Sequence, residues 1–129
     1  MSKKKPLTVN KVPSQKQVKD WYARIAAYGC VVTGVEHGFQ IHHPVGRTKR
    51  VVMGVAKYHV GSWFCYPLIK RLHDINSDDP LNVTKFRNKF VAQHGDECNL
   101  FMSMCTDLEV YGPLPFDADV MAAIMETGV

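Results

Sequence analysis

Residues 40–46 read QIHHPVG. Two imidazoles stand side by side, behind an apolar residue and ahead of a proline. Neighbouring side chains on a strand point to opposite faces, so His42 and His43 at the end of the strand Phe39–His42 look two ways. Upstream, CVVTGVEHG (30–38) is a short apolar run broken by Gly34 and Gly38, a tight loop or small ribbon feeding that strand. Downstream, SWFCYPL (62–68) is a second strand that ends at Pro67, and LIKRLHDI (68–75) continues as a short helix stopped by NSDDP (76–80). The order is a two-stranded ribbon followed by a helix. That unit buries little by itself, so flanking helices must complete its core. The expected class is α+β.

The flanks supply those helices. PSQKQVKDWYARIAAYG (13–29) reads as a helix, with Ser14 as N-cap, Val18, Trp21, Tyr22, Ile25 and Tyr28 on one stripe, and Gly29 as its end. GRTKRVVMGVAKYHVG (46–61) reads as a long basic connection without periodicity. LNVTKFRNKFVAQHG (81–95) reads as a helix with Val83, Phe86, Phe90 and Val91 inward. CNLFMSMCTDL (98–108) fits helix or strand, and PLPFDADVMAAIMETG (113–128) fits a helix capped by Asp117. Trp63 and Tyr66 read as core residues. Residues 1–13, with KKK and two prolines, read as a flexible basic arm.

At 129 residues the chain is one domain by length. No run of 18 apolar residues exists to span a membrane, and the basic start lacks the apolar stretch of a signal peptide. The expectation is a cytoplasmic protein, in a host cell if phage-encoded, whose four cysteines stay reduced. The net charge of +4 is unevenly laid out. Residues 1–19 carry six Lys/Arg and no acid, residues 20–95 carry ten against five acids, and residues 96–129 carry seven acids and no Lys/Arg. A basic body suits a polyanion such as DNA. The acidic end either faces away from it or covers the basic surface until a substrate displaces it.

A ribbon presenting two histidines against a helix presenting His73 makes a metal site with a neighbouring base. Phosphodiester hydrolysis uses those parts: a divalent ion to stabilise charge on the phosphate and the leaving oxygen, and an imidazole to take a proton from water. One histidine of the pair ligates and the other abstracts.

The pattern GC-VV-T…IHHPVGR…YPLIKRLHDI…FRNKFVAQHG resembles the HNH, or His-Me finger, nucleases, and among them the phage recombination enhancement function proteins. The similarity spans roughly residues 20–95. It implies a small ββα-metal core in a nuclease domain over 14–95, with an acidic helical extension over 96–129 packed on the same domain. It implies DNA cleavage, in the founding type where a host RecA filament pairs strands, so DNA and a RecA-like recombinase are the expected partners. Carried over residue by residue, His43 matches the general base, His42 the ribbon ligand and His73 the helix ligand. Asn76 or Asp78 would add an oxygen ligand or orient water, or else simply belong to a helix-ending turn. The active ion would be Mg2+ or Mn2+, with Zn2+ able to occupy the same nitrogens.

The chain departs from the family's structural zinc site. Thr33 stands for the second cysteine of the CxxC-like pair, and Ile69 and Leu72 replace the Cys/His ligands further on. A structural zinc is therefore not expected, and Cys30 becomes a small buried hydrophobe. Cys65 with His59 is the alternative rearranged site; Cys98 and Cys105 read as packed residues. Arg47, Lys49, Arg50, Lys57, Lys70 and Arg71 form the expected DNA-backbone clamp, with little base specificity. Lys85, Arg87 and Lys89 either extend it or solvate a helix face. Two further readings stand beside the metal-dependent endonuclease: a catalytically inactive DNA- or recombinase-binding protein on the same scaffold, and a small zinc protein without catalysis.

Overall fold

The computed structural model describes residues 7–8 and 12–129. Those residues form a mixed α+β domain of five strands and five helices: β1 (Leu7–Thr8), α1 (Gln15–Tyr28), β2 (Phe39–His42), β3 (Arg50–Met53), β4 (Ala56–His59), β5 (Tyr66–Ile69), α2 (Lys70–His73), α3 (Arg87–His94), α4 (Glu97–Glu109) and α5 (Ala118–Met125). β2 and β5 make an antiparallel ribbon; β1, β4 and β3 make a second sheet in that order.

α1 starts where its capping chemistry puts it. Ser14 Oγ accepts from the Gln17 amide at 3.1 Å and Gln17 Oε1 accepts from the Ser14 amide at 2.8 Å, a reciprocal box that satisfies two orphan donors. Trp21 and Ile25 face the core. Gly29 ends the helix at φ +87°, and a Cβ there would lie 2.7 Å from the Val35 carbonyl. The chain then knuckles through residues 30–35. Buried Cys30 takes N–H donation on its sulfur from Thr33 at 3.4 Å and from Ile69 at 3.2 Å. Leu72 is buried as well.

In the ribbon, Phe39 pairs with Ile69 and His42 with Tyr66. β5 runs through Pro67, past the expected end, because the pairing partner Ile41 asks nothing of the missing N–H, while the Pro67 carbonyl takes the Val31 amide at 3.1 Å. α2 begins at once, as a single turn ending on His73.

Residues 50–59 correct the sequence reading. They are not an irregular connection but a β-hairpin, with Val51 opposite Tyr58 and Met53 opposite Ala56. Gly54 at φ +63° followed by Val55 is a two-residue turn with glycine first, an arrangement whose twist matches the strands it joins. β1 pairs parallel with β4, Leu7 with Ala56 and Thr8 with Lys57. So two residues of the expected flexible arm lie in a sheet, while residues 1–6 and 9–11 fall outside the described residues.

The hairpin presses on the loop that follows the histidine pair. Any Cβ at Gly61 would lie 2.4 Å from the Gly46 carbonyl oxygen and 2.5 Å from the Arg47 carbonyl. Gly61→Ala is expected to cost about 1–3 kcal/mol, the usual penalty of overpacking; urea denaturation measures it. A loss below about 0.5 kcal/mol would mean that the 46–47 loop is free to move away.

α3 is shorter than its apolar spacing suggests. Val83 is buried in the turn ahead of it, Phe86 is 40% exposed, and Phe90 alone is fully buried from the helix. The ambiguous 98–108 segment is helical and presents Cys98, Phe101, Met104, Cys105 and Leu108 to the core. α5 adds Val120, Ala123 and Ile124, with Asp117 Oδ1 accepting from the Val120 amide at 3.0 Å. The acidic segment thus contributes a share of the one core. A clasp joins α1 to the end of α4: the Arg24 guanidinium donates to the carbonyls of Leu108 (3.0 Å), Gly112 (2.8 Å) and Pro113 (2.7 Å), and Tyr28 donates to Asp107 at 2.7 Å. The Leu108 carbonyl is one of the orphan acceptors of that helix end.

Candidate active site

The ribbon and the single turn of α2 bring three imidazoles to one cleft. His42, His43 and His73 line it with Ile41, Arg47, Val83, Thr84 and Arg87, around a volume of about 570 Å³. His42 ends β2 and is buried; the rings of His42 and His73 are 5.0 Å apart, edge to face. The pleat explains the division within the pair. His42 turns inward toward Tyr66 and α4, whereas His43 meets α1, where the Tyr22 hydroxyl is 2.8 Å from its Nε2.

Each ring is held by a different element. His42 Nε2 is 2.6 Å from Glu97 Oε1 at the start of α4. His73 Nδ1 is 2.6 Å from Gln40 Oε1, one strand position pair away on the ribbon. Glu97 is fully buried and has two further partners: the Tyr66 hydroxyl donates to Oε1 at 2.8 Å, and Arg87 Nε forms an ion pair with Oε2 at 2.9 Å, out of line for a hydrogen bond. Arg87 also donates to the Pro44 carbonyl at 2.7 Å. Burial pushes the Glu97 carboxyl up, but the interaction with His42, the Tyr66 hydrogen bond and the Arg87 guanidinium outweigh it and draw it below its usual range.

Burial first, then the Arg47 guanidinium and the neighbouring His42 and His73, pushes His43 down to about 4. Burial, and then His42, also lowers His73. At neutral pH His43 is therefore an uncharged imidazole, the form that accepts a proton.

His42 and His73 are the imidazoles that a divalent ion in this cleft would meet. In these bonds His42 uses Nε2 and His73 uses Nδ1, so each ring keeps one nitrogen to give. Among the described residues no group of three or more His, Cys, Asp or Glu side chains is placed to hold a metal ion, so water or phosphate would have to complete any coordination around the two rings.

The other expected site residues are placed as follows. Asn76 and Asp78 do not line the cleft; Asn76 donates its amide to Asp74 Oδ1 at 2.9 Å in the turn after α2. Lys70 and Arg71 line a separate, smaller depression and pair with Asp74 (3.8 Å) and Asp79 (2.8 Å). Of the proposed clamp, Arg47 reaches the cleft, Lys49 and Arg50 are exposed at the base of the hairpin, and Lys57 lies on β4. Arg87 belongs to the site itself. Lys85 donates to the Ser77 carbonyl, and Lys89 lies over the Phe86 ring. Cys65 and His59 both turn to Ser62, the thiol to its carbonyl and His59 Nε2 to its hydroxyl.

Sequence reasoning missed Glu97, Gln40, Tyr22 and Asn82. Asn82 is fully buried and ties α2 to the next segment, donating to the carbonyls of Arg71 and Asp74 while accepting from the amides of Thr84 and Lys85. Thr84 adds a short bond to the His73 carbonyl. The only hint in the sequence was the Asn-x-Thr turn chemistry after NSDDP. No protein-family model, curated protein or solved structure matches this chain.

Proposed function

We propose that the chain is a divalent-metal-dependent endonuclease with a ββα-metal core, made of β2, β5 and α2, that hydrolyses DNA phosphodiester bonds. The observation that carries this reading is the meeting of His42, His43 and His73 with Arg47 and Arg87 on one cleft. His42 and His73 would hold the ion, Mg2+ or Mn2+ in the active form, which supplies Lewis-acid stabilisation of charge on the phosphate. His43 takes the proton from the attacking water, with the Tyr22 hydroxyl steadying its ring. Arg47 draws the phosphate toward the imidazoles, and Lys49, Arg50 and Lys57 continue the positive track along the hairpin. Phage recombination beside a RecA-like recombinase, in a host cytoplasm, is the setting that the family resemblance suggests. No helix among the described residues is long and apolar enough to cross a membrane.

The test is nicking of supercoiled plasmid. The expected result is relaxation with Mg2+ or Mn2+ that stops with EDTA and with His73→Ala. Cleavage that survives both would trace to a contaminant. An inert wild-type protein that still binds DNA would favour the alternative, a binding protein on a nuclease scaffold. The filling of the family's zinc-ligand positions by Thr33, Ile69 and buried Leu72 gives that alternative its footing.

A further inference from the structure

We infer that Glu97, from the acidic C-terminal segment, is a positioning residue of the cleft: it fixes the proton of His42 on Nε2 and so turns the Nδ1 lone pair toward the ion site. The inference rests on the nuclease reading for its purpose, though not for its geometry. A carboxylate accepts and does not donate, so at 2.6 Å from Glu97 Oε1 the shared hydrogen belongs to His42 Nε2. A carboxylate behind a ligating imidazole sets its tautomer and raises its basicity.

The energetics argue against a merely structural role. Removing a carboxylate from water costs several kcal/mol, and replacing a buried ionic cluster whole by apolar side chains commonly serves stability as well or better. Yet Glu97 is fully buried, and three side chains from three elements turn toward it: His42 at the end of β2, Tyr66 in β5 and Arg87 in α3. Its place in the first turn of α4 adds the favourable end of the helix dipole. Of those partners only Arg87 is largely open to solvent, and it also holds the Pro44 carbonyl, one residue beyond His43. The pair Arg87–Glu97 therefore braces the ligand from behind and the turn carrying the base from the side. The acidic segment is neither a cover over the basic surface nor a solubility tail at this point; one of its carboxylates is built into the cleft wall.

The experiment compares full-length wild type, Glu97→Gln and Glu97→Leu by three measurements: thermal midpoint, Mn2+ titration by EPR or calorimetry, and long-range 1H–15N correlation of the His42 ring without metal. The expected result is His42 protonated on Nε2 alone in the wild type, with that pattern lost or mixed in both variants. Mn2+ affinity should fall about 10–100-fold in both; Glu97→Leu, which strands the Tyr66 hydroxyl and Arg87, lowers the thermal midpoint, while Glu97→Gln, which keeps an acceptor there, retains a cooperative transition. A wild-type His42 protonated on Nδ1, or an Mn2+ affinity unchanged in both variants, would overturn the inference and leave the nuclease reading standing. Wild-type protein that shows the Nε2 pattern, lost in the variants, but binds no Mn2+ would instead overturn the nuclease reading and leave the role of Glu97 intact.

Discussion

His43→Ala is expected to lower plasmid nicking by about 10²–10⁴-fold, the usual contribution of a positioned general base. DNA binding and Mn2+ binding should stay near wild type. The split follows from the geometry. Among the described residues His43 has one side-chain hydrogen bond, to the Tyr22 hydroxyl at 2.8 Å, whereas the His42 and His73 rings are steadied by Glu97 and Gln40. Nothing that holds His42 or His73 passes through His43. Measurement needs both arms: a nicking time course at saturating Mn2+, and DNA affinity at fixed salt, since phosphate contacts make affinity salt-dependent. Nicking within about threefold of wild type would remove His43 from the mechanism, whatever the metal data show.

Phe101→Ala should cost about 3–5 kcal/mol, a large part of the stability of a domain this size. Phe101 is fully buried in α4; its ring lies 5.2 Å from Phe64, edge to face, and 6.0 Å from Phe116, stacked. Phe64 belongs to the chain leading into the ribbon and Phe116 to the approach to α5, so the lost ring leaves a cavity between parts distant in sequence. Urea unfolding followed by tryptophan fluorescence and by circular dichroism should give one shared transition at a lower midpoint. Two separated transitions, or a loss below about 1 kcal/mol, would show the acidic segment to be an appended unit rather than part of one core. Trp21 and Trp63 suit the fluorescence measurement: both are buried, and Trp21 Nε1 donates to the Trp63 carbonyl at 3.0 Å.

What could be read from the residues was local. Ser14 and Gly29 bracket α1 by capping chemistry, Asp117 caps α5, and Phe39–His42 is a strand bounded by glycine and proline. Those signals act over a few residues, and the structure agrees with them. The hairpin at 50–59 was harder, because its turn is Gly54–Val55 rather than an asparagine–glycine pair and its basic residues break the apolar alternation. Phe86 matched the stripe of a longer α3 by spacing, but Asn82 takes the local amides into a turn and delays the helix. The three histidines were legible as a group through resemblance, and the cleft unites them. Their supports were not. Glu97 lies 55 positions after His42, among acids that look like a solvated tail; only the packing of α4 against the ribbon makes it a neighbour. Tyr22 sat on a helix stripe that predicted burial, with nothing to mark its hydroxyl.

The Arg24 clasp makes the imidazole arrangement poorly portable. α1 carries Tyr22, which meets His43, and α4 carries Glu97, which meets His42. Arg24 sits close to Tyr22 on α1 but seizes the far end of α4, about 18 Å along that helix from Glu97 at 1.5 Å per residue. The two supports are thus set against each other by a joint remote from the chemistry. An excised ribbon and helix, grafted onto another scaffold, would transplant the three rings without the levers that aim them.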